Sequence, residues 1–306
     1  MVYPRFSGIS TFMRLPHVQD LEGVDFAVIG LPFDTGATYR VGARFAPRAI
    51  RDASALLRPY NTALGVSIFD RLSGVDYGDL SVVPGYLPDS HAKITEQMRA
   101  VLDAGVVPFA LGGDHSVSLP QLRALAQRFG PLGLVQFDAH GDVWGPYFGD
   151  KATHGTPFRT AVEEGLIDVR RSTQIGLRGS LHEPADLEIS RELGFAVFTA
   201  DDVRRSGLDA VCEAVRQRAD TGPCFLSFDI DFVDPALAPG TGTPEIGGFN
   251  GWETQRLVRG LRGVRFMGFD LVEVCPPYDN PGATTALTAA NLVYEFITLH
   301  ALNPET

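Results

Sequence analysis

Short apolar runs alternate with longer segments of helical period along most of the chain. The strand-like runs are 26–30 (FAVIG), 107–111 (VPFAL), 132–137 (LGLVQF), 173–177 (TQIGL), 195–198 (FAVF), 224–228 (CFLSF) and 266–269 (FMGF), with another near 74–77. Between them the spacing predicts helices over about 45–54, 90–105, 117–128, 157–166, 185–193, 208–219, 252–262 and 284–300. The runs are apolar at nearly every position, the pattern of strands buried on both faces. Repeated strand-then-helix order implies a parallel sheet covered by helices. No linker, repeat or low-complexity segment divides the chain, so 1–306 is read as one domain, with 1–22 as an N-terminal arm. A closed barrel and an open three-layer sandwich share this alternation. In both, ligands bind at the carboxyl ends of the strands.

Polar clusters follow four of the runs. GGDH (112–115) follows VPFAL, and DAHGD (138–142) follows LGLVQF. DID (229–231) follows CFLSF, and Asp270 to Glu273 follow FMGF. A loop motif, HGTPF (154–158), lies between the second and third. If extended geometry persists past Phe137, Asp138, His140 and Asp142 share one side of the strand end, and Asp229 and Asp231 do the same. Such convergence is costly unless a cation offsets it. Each cluster alone has an ordinary reading: the DID aspartates as a cap or turn, and His115 as a loop histidine where a helix begins, capped by Ser116 or Ser118. Asp114 either orients a ligand or caps the turn. The glycines of GGDH let the backbone approach a packed site, because no lysine follows as in a phosphate-binding loop. Taken together, His115, Asp138, His140, Asp142, Asp229 and Asp231 supply four carboxylates and two imidazoles, enough for two divalent ions if some carboxylates bridge. Oxygen-rich, sulfur-free ligation suits manganese better than zinc. Two ions sharing a water lower its pKa, so that a nucleophile forms near neutral pH.

Composition changes this picture little. The 37 acidic and 26 basic residues give a formal charge of −11, which argues against nucleic acid or an anionic membrane as partner and is compatible with a cationic ligand. The three cysteines, Cys212, Cys224 and Cys275, form no CxxC motif and read as free thiols. No signal core or long apolar span is present, and a cytoplasmic location is expected.

These motifs resemble those of the ureohydrolases, the arginase and agmatinase family. The resemblance runs from GLPFD (30–34) and RVGARFAPRAIR (40–51) through GGDHS, DAHGD and HGTPF to DIDFVDP (229–235), PGTGTP (239–244) and VEVCPPYD (272–279). It implies an α/β fold: an open α/β/α sandwich around a mainly parallel sheet of about eight strands. It also implies two Mn²⁺ per subunit held by the six residues above, and a trimeric or hexameric homo-oligomer. His154 matches the family's proton-shuttling histidine, and Glu273 the glutamate that pairs with the substrate guanidinium. Asp142 matches a metal ligand that also helps move a proton. One departure stands at Gly141, where the family usually has serine or threonine.

The implied reaction is hydrolysis of a guanidinium to urea and an amine. APGTGTP, HGTPF and the carboxyl-terminal stretch look agmatinase-like, so agmatine, giving putrescine, is the expected substrate. Guanidinobutyrate, guanidinopropionate and other guanidino acids are the alternative. A binuclear phosphoesterase would need a GNH[DE] motif, which the chain lacks. A non-catalytic metal-binding relative would be expected to have lost ligands. Trp144 and Tyr147 are placed at the substrate mouth or in ordinary packing. His17, His91, His182 and His300 are read as surface or helix residues.

Overall fold

The computed structural model describes residues 4–146, 148–149 and 151–303. Its strands are β1 Phe26–Gly30, β2 Tyr60–Asn61, β3 Val66–Ser67, β4 Gly74–Asp79, β5 Val107–Leu111, β6 Gly133–Phe137, β7 Thr173–Leu177, β8 Ala196–Thr199, β9 Cys224–Asp229 and β10 Phe266–Val272. Its helices are α1 Ala46–Ser54, α2 Leu87–Asp103, α3 Ser118–Phe129, α4 Pro157–Glu163, α5 Ala185–Glu192, α6 Ala200–Ser206, α7 Leu208–Ala219, α8 Gly251–Arg259 and α9 Thr284–Leu302. Eight strands form one open sheet in the order β4-β1-β5-β10-β9-β6-β7-β8, each pair parallel, and β2 and β3 make a separate small hairpin. The sheet is open, as the family resemblance implied.

Period-two alternation divides the strand residues between two cores. Phe26 and Val28 of β1 and Val107, Phe109 and Leu111 of β5 face one core with α1, α7, α8 and α9. Ala27, Ile29 and Ala110 face the other with α2, α3 and α4. Apolar side chains are therefore needed on both faces, which is why the runs show no polar alternation. No helix among the described residues is long and apolar enough to cross a membrane.

The connectivity positions the site. The chain passes from β5 through α3 to β6, but β10 and β9 lie between those two strands. Crossovers leave this point in opposite directions, opening a crevice at the carboxyl ends of β5, β10, β9 and β6. These are the four strands that precede the polar clusters. The β2–β3 hairpin and helix α6 escape the periodicity, and β10 runs past its expected end. Helix α6 starts directly after β8 on a reciprocal Thr199–Asp202 capping box and is too short and polar for an amphipathic signal. Strand β10 continues through Val272, so Asp270 lies inside it rather than beyond its end.

The amino-terminal segment is locked down over part of its length. Phe12 is fully buried and its N–H donates to Asp76 Oδ2 at 2.7 Å. Arg51 of α1 grips the same carboxylate with Nε at 2.8 Å and Nη2 at 3.0 Å and also reaches Asp79. This pair ties α1, β4 and residues 11–15 together. Truncating Arg51 would strand Asp76 in the core, and removing one member of a buried pair costs roughly 3–5 kcal/mol. Arg51→Ala should therefore unfold at markedly lower urea concentration while binding as much metal per folded chain as the wild type. A midpoint equal to that of the wild type would show that the pair contributes nothing.

Candidate metal centre and active site

Strand geometry does not persist beyond Phe137. The chain bends, the His140 N–H donates to Asp138 Oδ1 at 2.7 Å, and Asp142 adopts a positive φ of 50°. The expected convergence occurs, but through this turn, and it sends the side chains to two places. Asp138 and Asp142 approach His115, whereas His140 approaches Asp231 at 2.9 Å. The DID segment behaves likewise. Asp229 ends β9 and caps a 3-10 turn over Ile230–Phe232 by accepting the Asp231 N–H at 2.8 Å. The Ala139 N–H then holds Asp231 Oδ1 at 3.0 Å. Capping and site-building are thus the same arrangement.

The result is two groups of donor atoms, His115 with Asp138 and Asp229, and His140 with Asp138 and Asp231. Asp138 belongs to both. Asp142 joins the first, its Oδ2 lying 2.8 Å from His115 Nδ1. All six residues expected as ligands are therefore in one place, and Asp138 is the one positioned to bridge.

The His115 ring is a test of whether cations fit. Its Nε2 lies 2.9 Å from Ser227 Oγ, and that hydroxyl donates to Asp270 Oδ1 at 2.7 Å. Nε2 must therefore carry the hydrogen and donate to Ser227. Nδ1 is left with a lone pair among Asp142, Asp138 and Asp229 oxygens at 2.8, 3.2 and 3.4 Å, and it has no hydrogen-bond partner of acceptable geometry. A lone pair facing three carboxylates is repulsive unless a cation lies between them. Asp231 Oδ2 is also buried without a hydrogen bond. The donor set, its burial and these orphaned atoms fit a pair of divalent cations.

The electrostatics say the same. Burial would lower the pKa of His115, but Asp138, Asp142 and Asp229 outweigh it and raise it well above the ordinary value. His140 is raised in the same way by Asp231 and Asp138 against its burial. Burial, with Asp231 and Asp138 nearby, pushes the Asp229 carboxyl well up, and burial pushes Asp231 to about 6. The surrounding carboxylates thus favour positive charge at both imidazoles.

Glu273 follows β10 with a positive φ of 63°. Its Oε1 accepts the His115 N–H at 2.8 Å and faces His154 Nδ1 at 3.0 Å. Its Oε2 is buried and has no partner. One Glu273 oxygen is therefore open and the other is already engaged. His154 Nε2 lies 2.7 Å from Thr38 Oγ1. Burial would lower the His154 pKa, but Glu273, with Asp142 and Asp114, holds it at about 9.

Several further residues support the cluster without being among the six expected ligands. Asp270, buried among Ser118, Gln121 and Ser227, orients His115 across three elements. Gln136 donates to Asp138 Oδ2 at 2.7 Å, and Gln174 donates to both Gln136 Oε1 and the Gly141 carbonyl. A polar residue inside an otherwise apolar strand was the available signal for each. Asp114, rather than Ser116 or Ser118, caps the turn after β5, and it also holds the Gly36 N–H at 2.7 Å. At Gly141 an added Cβ would meet Ser190 Oγ of α5 at 2.9 Å, so the glycine lets this helix approach the metal loop. The remaining histidines sit apart from the cluster. His91 and His300 are helix residues as expected but buried, and burial lowers their pKa to about 3 and about 4.

A cavity of about 560 Å³ opens beside His140 and Asp142 and is walled by Trp144, Leu187, Arg178 and Arg204. Trp144 thus lines it, while Tyr147 falls outside the described residues.

Two measurements follow from the centre. Because His115, His140 and Asp229 are all shifted toward their protonated forms in metal-free protein, Mn²⁺ added near pH 7 should release protons, and affinity should rise with pH. Calorimetry in buffers of different ionisation enthalpy reads this directly, and a heat independent of buffer would contradict it. Replacing Asp270 with alanine should weaken metal binding roughly 10–100-fold, by loss of the acceptor that orients Ser227 and His115. Metal titration of the folded variant reads that change.

Comparison with known proteins places these features in one lineage. Residues 24–298 match the arginase family model. The chain is 46% identical over 297 residues to a Pseudomonas aeruginosa protein named guanidinobutyrase, covering 96% of this chain and 93% of that one. It is 45% identical over 290 residues to the mitochondrial agmatinase of Gallus gallus, covering 95% and 85%. Proclavaminate amidino hydrolase from Streptomyces clavuligerus has the same fold, with a TM-score of 0.93 at 39% identity over 98% of this chain and 99% of the other. The chain belongs to the arginase family.

Proposed function

We propose that this hydrolase of guanidino C–N bonds converts a short linear guanidino compound to urea and a primary amine. The observation that carries the reading is the His115 lone pair set among three buried carboxylates, beside a glutamate with one open oxygen. One cation would be held by His115, Asp138, Asp142 and Asp229, the other by His140, Asp138 and Asp231, and manganese suits this donor set. Such a pair lowers the pKa of a shared water, so that a nucleophile is available at neutral pH.

The protein's own groups do the rest. A guanidinium is a poor electrophile because its charge is delocalised, so positioning matters. Glu273 Oε2 pairs with a guanidinium N–H and fixes the carbon toward the metal centre. Asp142 accepts a hydrogen bond on the reacting side. His154 protonates the departing amine nitrogen.

The cavity beside Asp142 bears on the tail. Arg178 gives its guanidinium hydrogens to backbone carbonyls of Gly176, Asp231, Glu245 and Ile246, so its charge is not cancelled by a paired carboxylate. Arg204 and Arg205 lie on the same wall but face Asp201 at 4.0 Å and Asp202 at 3.6 Å, whereas Asp186 is occupied in holding the His182 and Glu183 N–H groups. This favours a carboxylate tail, as in 4-guanidinobutyrate, and we take it as the first reading. Agmatine, expected from the motifs, is the second, favoured by Asp201 on the same wall and by the acidic chain. We further propose that the chain works as one unit, in the cytoplasm, as a homo-oligomer. Exposed Phe6, Ile9 and Phe45 are apolar surface compatible with subunit contact.

The test is urea release by Mn²⁺-loaded protein from 4-guanidinobutyrate, 3-guanidinopropionate, agmatine and arginine. Guanidino acids should be preferred, and preference for agmatine would assign the amine tail instead. His154→Ala and Glu273→Ala should each lower kcat/KM by roughly 100-fold or more with metal content retained. No urea from any of the four compounds, with two metals bound, would overturn the reading.

A further inference from the structure

His154 is held at both ring nitrogens, and its second partner has no role in the reaction as described above. The loop after β1 folds over the ring. The Gly36 carbonyl accepts the His154 N–H at 3.0 Å, and Gly36 is itself fixed by Asp114. Thr38 then meets Nε2 twice, with its backbone N–H at 3.2 Å and its hydroxyl at 2.7 Å. His154 is only 8% exposed, whereas Thr38 lies at the surface. The Thr38 hydroxyl therefore links a buried imidazole to solvent.

The two Thr38 contacts suit the two protonation states. A backbone N–H can only donate, so in neutral His154 it favours a lone pair on Nε2 and the hydrogen on Nδ1, facing Glu273. When Nε2 is protonated, the same hydroxyl accepts from it and turns its own hydrogen outward. The charged groups around the ring are Glu273, Asp142 and Asp114, and all three favour this protonated form.

We propose that Thr38 is a positioning residue for His154 and that its hydroxyl is the path by which His154 exchanges protons with solvent. The inference rests on the reaction proposed above. The proton count balances. A solvent proton binds Thr38 Oγ1 as the hydroxyl proton passes to His154 Nε2. The imidazolium then gives its Nδ1 proton to the leaving amine nitrogen as the C–N bond breaks. A water in the site returns a proton to Nδ1, and the Nε2 proton leaves through Thr38. One proton enters and one leaves through Thr38 per turnover, and the leaving nitrogen takes its second proton from the attacking water by way of Asp142, matching a reaction that turns a guanidinium and water into urea and an ammonium.

Thr38→Val keeps the shape and the backbone N–H but removes the hydroxyl, and Thr38→Ser keeps the hydroxyl. In dilute buffer, Thr38→Val should lower kcat by about tenfold or more, with KM nearly unchanged. Added imidazole should restore much of the rate, and Thr38→Ser should turn over like the wild type. Wild-type kcat in Thr38→Val would overturn the proposal. So would equal losses in both variants that imidazole does not relieve, because that pattern belongs to loop packing. Nitrogen-15 NMR of the histidine side chains in Zn²⁺-loaded protein gives a readout independent of turnover. Solvent exchange of the His154 ring proton should be slower in Thr38→Val than in wild type or Thr38→Ser, and equal rates would overturn the relay. No urea from the wild type, together with slowed exchange in Thr38→Val, would remove the assigned reaction and leave the relay standing.

Discussion

Four aspartates held within hydrogen-bonding reach of two imidazoles, at the end of a sheet buried on both faces, repel one another strongly in a medium that screens charge poorly. Their placement depends on donors that partly offset this. Backbone N–H groups of His140, Ala139 and Asp231 point at Asp138, Asp231 and Asp229, and the Gln136 amide takes the second oxygen of Asp138. Each aspartate is left with oxygen lone pairs aimed inward. Asp142 and Glu273 are held at positive φ, which costs an L residue roughly 1–2 kcal/mol. Strain of this kind persists only where surrounding structure over-determines it. The surroundings here are the four central strands and the turns that leave them.

Beneath these turns lies a layer that keeps them from relaxing apart. Phe109 stacks on Phe269 at 4.5 Å between ring centroids, and Phe232 stacks on Phe249 at 4.4 Å. Phe137 contacts both Phe228 and Phe232 at 5.2 Å. Phe137 immediately precedes Asp138, Phe228 precedes Asp229, and Phe232 follows Asp231. The aromatic core and the carboxylate cluster are therefore adjacent positions on the same strands, one turned into the core and the next toward the crevice. Packing on one side sets the geometry on the other.

This adjacency explains what was legible in the chain. Apolar runs ending in paired acids mark both the strand and its functional end, so the sheet, eight of the nine helices in close outline and the six clustered His and Asp positions are readable from the amino-acid sequence. Residues that act across space are not readable in the same way. Ser227 and Asp270 meet through neighbouring β9 and β10, 43 positions apart in sequence. Gln136 and Gln174 meet across β6 and β7. Local spacing carries no information about such partners. Extended geometry was also the wrong extrapolation past Phe137 and Asp229. Side-chain capping bends the backbone there, and that bend is what sends Asp142 toward His115 and His140 toward Asp231, with Asp138 shared between the two groups.

The geometry around Glu273 places one further constraint on events in the site. A carboxylate oxygen has two lone pairs, and Oε1 already meets two donors, the His115 backbone N–H and His154 Nδ1. Only Oε2 is open. A guanidinium that engages both oxygens, the arrangement its planar fork favours, must displace one of those donors. The His115 amide is fixed by the turn after β5, so the donor that yields is His154. Full engagement of the substrate cation and release of the His154 side chain from Glu273 are then one event. An acid freed only when its substrate is seated does not transfer its proton to an empty site. In the reaction proposed above, the acid–base group and the anchoring carboxylate would thus share a single oxygen, and occupancy of that oxygen would couple recognition to proton transfer.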